Sequence, residues 1–209
     1  DDTSGVSLAA GFVDFSTGRN SLVTASGPGS IAMVKVFVFP LTTPIAHGDG
    51  QKAAIDKPVN TTSFQPFGAE YLGGVSIGTG WLAGSLGGAK RIIVSQLADK
   101  GAVKVYSSGS ALDGGPAMYM ENPARHDHGA KFHEIASFEP FAGASGAQVA
   151  TTSTTIGANL LVSGTSPQGA RVLKFDFVRA DPKATVLQPA PLGEILFLEG
   201  ARSVVVGGD

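Results

Sequence analysis

The sequence predicts an all-β protein built from a degenerate four-stranded repeat of the β-propeller type. Three observations carry that expectation. Composition is the first: 29 glycines in 209 residues, with Thr, Ser and Val abundant, suit many short strands joined by tight turns. The second is periodicity, because no ten-residue stretch carries an apolar stripe at helical spacing. The third is self-similarity. Ser63-Phe64-Gln65-Pro66-Phe67 returns 74 positions later as Ser137-Phe138-Glu139-Pro140-Phe141, with a weaker copy at Val186-Leu187-Gln188-Pro189-Ala190.

Each unit reads as four strands. The first opens at a glycine: Gly5-Val6-Ser7-Leu8-Ala9, Gly74-Val75-Ser76-Ile77-Gly78, Gly146-Ala147-Gln148-Val149-Ala150 and Gly193-Glu194-Ile195-Leu196-Phe197. These small, apolar strands are expected at a crowded hub. The second strands are Ser21 to Gly27, Arg91 to Gln96, Asn159 to Gly164 and Ser203 to Gly208. The third are Val34 to Phe37, Val103 to Tyr106 and Val172 to Phe175. Lys35 and Lys104 between valines suit a sheet face that is only partly covered. The proline-containing motif supplies the fourth strand, at an edge where a missing N–H is tolerated.

The units therefore span about 5–67, 74–141 and 146–190, with a half unit at 193–209 of a single repeat domain. Propellers usually close with four to eight blades. Three and a half imply a longer chain, a partner covering the ends, or a small closed ring. A Greek-key β-sandwich is the alternative for so many short strands, and the repeat spacing argues against it.

Leu22 to Gly29 leading into Val34-Lys35-Val36-Phe37, with its counterparts at 74–78, 92–95 and 101–106, resembles the FG-GAP repeat of integrin-α-like propellers. The resemblance implies adhesion, ligand binding or scaffolding, mostly outside the cytoplasm. Calcium-binding members of that family carry an acidic loop between the first two strands, since Ca²⁺ takes six to eight oxygen ligands. Here those loops hold a single carboxylate, Asp14, so calcium is not expected.

Charge and hydropathy exclude other classes. With 15% charged residues and a net charge of −2, nothing suggests the clustered basic face that nucleic acid needs. No apolar run approaches a membrane span. No signal peptide is visible; the polar start, Asp1-Asp2-Thr3-Ser4, suits a mature extracytoplasmic protein. Without cysteine there are no disulfides or thiolate sites.

One cluster invites chemistry. Arg125, His126, His128, His133 and Glu134 lie close together, just after Met118, Tyr119 and Met120. On an extended segment His126 and His128 would share a side, and His133 or Glu134 could complete a transition-metal site, with Met favouring copper(I). The plainer reading is a long polar loop with solvated histidines. On the plainer reading no cofactor is expected; on the other, a transition metal is.

His47 and Asp49, in the excursion 40–61, read first as a glycine-flanked turn. No catalytic residue is identifiable, because no nucleophile, base and orienting group can be matched. Trp81 is the only tryptophan, and its counterparts Phe12, Thr152 and Glu199 do not repeat it; packing is expected of it. The sequence thus points to a non-enzymatic binding or structural subunit whose specificity resides in its long loops. A glycan-binding lectin and a metal-dependent protein are the alternatives.

Overall fold

The computed structural model describes residues 5–14, 19–39, 58–82, 90–108, 132–143, 145–154, 157–166, 169–179 and 186–199. They form strands and turns, with no helix among them. The first sheet comprises β1 (Val6–Asp14), β2 (Arg19–Ser26), β3 (Val34–Val38) and β4 (Val59–Phe64). The second comprises β5 (Val75–Gly80), β6 (Arg91–Gln96), β7 (Val103–Ser108) and β8 (Phe132–Phe138). The third comprises β9 (Ala147–Thr154), β10 (Gly157–Ser166), β11 (Gly169–Arg179) and β12 (Leu187–Glu199).

Each sheet is an antiparallel meander in chain order, and none closes into a barrel among the described residues. The opening strands pair in step: Val6 with Ser26, Val75 with Gln96 and Ala147 with Gly164. This register makes Leu8, Ile77 and Val149 equivalent, and likewise Ala10, Thr79 and Thr151.

The sheets stack face to face, and strand alternation explains the two cores. β6 is buried along its whole length. Its Ile92 and Val94 point into a core shared with Val23, Val34 and Val36 of the first sheet. Its Ile93 enters the other core, with Leu160, Val162, Phe175 and Phe177 of the third sheet. A strand buried on both faces reads as a continuous apolar run, which is how Ile92-Ile93-Val94 appears.

Three expectations need correction. Gly193–Phe197 does not open a further unit: it lies within β12, with Gly193 paired to Lys174 and Phe197 to Arg171. The rest of the expected half unit, 200–209, lies outside the described residues. The weak third motif copy is also misplaced. Phe64 pairs with Val34 and Phe138 with Val103, and the same register position in the third sheet is Leu196, paired with Val172. Leu187, by contrast, begins β12. Finally, Pro66 and Pro140 follow β4 and β8 rather than sitting inside them. The proline ends each edge strand, and the chain turns there.

Candidate functional site

The sheet-to-sheet junctions are built from a recurring set of contacts close to β1, β5 and β9. Thr79 Oγ1 donates to the Ala10 carbonyl at 2.8 Å, and Thr151 Oγ1 donates to the Thr79 carbonyl at 2.8 Å. Likewise the Lys90 amide donates to Phe12 O (2.7 Å) and the Ala158 amide to Trp81 O (2.6 Å). These contacts tie the backbone of one opening strand to the next sheet, at sites that range from exposed to part-buried.

Glycine permits the approach. A Cβ on Gly11 would fall 2.9 Å from Thr79 Oγ1, and one on Gly80 would fall 2.8 Å from Thr151 Cγ2. The glycines that open the units hold positive φ: Gly5 at 80°, Gly74 at 80° and Gly146 at 124°. A side chain on Gly74 would strike Pro28, and one on Gly146 would overlap the Leu97 carbonyl, whereas Gly5 faces open space.

The two phenylalanine motifs act at these junctions. The Phe64 ring lies 4.7 Å from that of Tyr106, and the Phe138 ring lies 5.0 Å from that of Phe175. Tyr106 and Phe175 hold equivalent positions, opposite Ile92 and Leu160. Each motif therefore wedges one sheet onto the next. Burial first, and then the charge and hydrogen bond of Glu134, push the Tyr106 hydroxyl above the ordinary tyrosine range. Glu134 also pairs with Lys104 at 2.9 Å, and the Lys104 ammonium lies 5.8 Å from the centre of the Phe67 ring.

Comparison with protein-family models, curated proteins and solved structures finds no match to this chain. The site must be judged on its own geometry.

The front of the first sheet, the side turned away from the second, is the outlier. Val6 and Leu8 are 64% and 63% exposed, while Val75, Ile77, Ala147 and Val149 at the same positions are 0%, 8%, 3% and 5% exposed. Each of these side chains forgoes on the order of 1–2 kcal/mol of burial. The far end of β12 is also apolar and accessible, at Leu192, Ile195, Leu196 and Leu198.

Of the residues singled out in the sequence, most fall outside the described ones. His47, Asp49, Met118, Tyr119, Met120, Arg125, His126 and His128 fall outside the described residues. His133 is exposed on β8, opposite Ser107, and its neighbour Glu134 is engaged by Lys104. Among the described residues no group of three His, Asp or Glu could hold a metal. Trp81 is not packed away as expected: it is 48% exposed, with the Lys90 ammonium 5.2 Å from its ring centre.

Sequence reasoning found the opening glycines and the phenylalanine motif but missed Thr79 and Thr151, whose hydroxyls cross from sheet to sheet. A threonine in a β-rich sequence is too common to stand out. Only the register reveals that these recur at one place.

Proposed function

We propose that the protein is a non-enzymatic, extracytoplasmic module of the β-propeller type that serves as a protein-binding or structural subunit of a larger chain or assembly. One observation carries this reading: Val6 and Leu8 are exposed at positions that the other two sheets bury against a preceding sheet. An apolar sheet face left in water marks an interaction surface. The resemblance to FG-GAP repeats supports the same reading, in its calcium-free form.

The test is the native mass of material isolated from its own source. A species heavier than the 21.2 kDa chain, lost when Leu8→Asp is introduced, is the expected result. A lone 21.2 kDa species that turns over a substrate would sink the proposal.

A second reading, carbohydrate binding, is favoured by the half-exposed Trp81, since sugar rings stack on accessible aromatics. Glycan retention that Trp81→Ala abolishes and Leu8→Asp leaves intact would select it instead.

A further inference from the structure

The front of the first sheet and the back of the third carry the two unmatched halves of a junction that the chain already makes twice. On the front, Gly5 meets nothing where Gly74 and Gly146 abut the preceding sheet. Val6, Leu8 and Ala10 are exposed, as is Asn20, the counterpart of Lys90 and Ala158. On the back, Ser163 Oγ is buried without a hydrogen-bond partner. Its counterpart Ser95 donates to the Ala147 carbonyl of the next sheet at 2.8 Å. Leu196, at the position of Phe64 and Phe138, is 40% exposed. A buried hydroxyl left unpaired is costly, and the natural acceptor for Ser163 is the carbonyl of a following opening strand.

Side-chain size identifies that strand. Inside the chain, a glycine on the back of one sheet receives a threonine of the next: Gly11 takes Thr79, and Gly80 takes Thr151. At the two ends the sizes are exchanged. Thr152 stands at the glycine position of the third sheet, and Ala10 stands at the threonine position of the first. A sheet with threonine at that point would collide with Thr152. The first sheet, with alanine there, fits.

We infer that the back of the third sheet docks on the front of the first sheet of a second copy of this chain, so that two copies close head to tail into one six-sheet ring. The inference rests on the propeller-type reading above. Head-to-tail contacts make rings when the rotation closes. The three described sheets of each copy give six in the pair, within the usual four to eight blades. In the ring, Ser163 donates to the partner's Val6 carbonyl, Leu196 covers the apolar front around Phe37, and Val6 and Leu8 leave water.

The experiment takes the purified full-length chain through native mass spectrometry and light scattering over a range of concentrations. The expected species is twice the 21.2 kDa chain mass. Leu8→Asp on the front and Leu196→Asp on the back should each weaken the dimer by at least tenfold, with the far-ultraviolet circular dichroism unchanged. Since the chain has no cysteine, the double variant Ala10→Cys/Thr152→Cys provides a locator. On air oxidation it should become a covalent dimer, whereas neither single variant should.

A folded monomer at every concentration overturns the inference. So does a dimer whose double variant fails to cross-link, because the contact then lies elsewhere. Covalent chains longer than two overturn the closed pair. In each case the proposed function still stands if material from the native source is heavier than one chain because another protein is bound. The two failures are therefore distinguishable.

Discussion

Between the first and second sheets, Phe64 lies against Tyr106, whose hydroxyl is 3.5 Å from the Pro66 carbonyl and 3.4 Å from Glu134. Between the second and third, Phe138 holds the same register position but meets Phe175 and Phe177, at ring distances of 5.0 and 6.1 Å. The first junction buries a hydroxyl and ties it to a charged rim, while the second brings together three rings without a polar atom. Register demands a ring at this place, and the neighbourhood sets its chemistry. Where Glu134 and Lys104 stand close, a phenol is satisfied; where the site is dry, a hydroxyl would cost more than it returns.

The largest way to break the comparison is at the dry junction. Phe177 is 1% exposed, and Phe177→Ala should cost about 3–5 kcal/mol in urea unfolding through lost burial and a cavity. A loss under about 1 kcal/mol would mean that the site collapses and that the third sheet is only loosely held.

A second contrast sharpens the role of the preceding sheet. Gly146→Ala and Gly5→Ala both place a side chain at positive φ, for about 1–3 kcal/mol of backbone strain. Only Gly146→Ala also overlaps the Leu97 carbonyl. It should therefore destabilise the isolated chain more, by about 1–3 kcal/mol on the scale of overpacking. Equal effects in thermal melts would deny that Gly5 stands free.

The smallest effect separates the wet junction from the dry one by pH. Because the folded-state pKa of Tyr106 is raised above the ordinary 10.0, its contribution is fully present below pH 10 and is lost as pH rises toward the folded value. Tyr106→Phe should cost about 0.5–1.5 kcal/mol at neutral pH through the lost hydrogen bond. The gap from wild type should narrow above pH 10. A gap that stays constant to pH 12 would show that the hydroxyl titrates as in the unfolded chain.

Much of the strand pattern was legible in the sequence. Arg91–Gln96 holds as read, and Val34, Val103 and Val172 all fall in third strands, because alternation and glycine turns are local signals. The fourth strand was harder to place. Val186–Ala190 resembled the phenylalanine motif in spelling, and Gly193–Phe197 resembled an opening strand, yet Leu187–Ala190 and Gly193–Phe197 both belong to β12. Its pairing with β11 shifts register twice, between Val172 and Leu173 and between Lys174 and Phe175. Such bulges displace the match between sequence spacing and position in the sheet.

By itself, the sequence determined that this chain makes short antiparallel strands, that glycines open three of them, and that a phenylalanine motif recurs. These follow from backbone sterics and from the burial of apolar surface, which act within a few residues. Only the tertiary structure decided which faces meet. The exchange of Gly11 and Gly80 for Thr152, and of Thr79 and Thr151 for Ala10, has no meaning along the chain. It acquires one when the strands of different sheets lie side by side, because shape complementarity is a property of two surfaces and not of either segment alone.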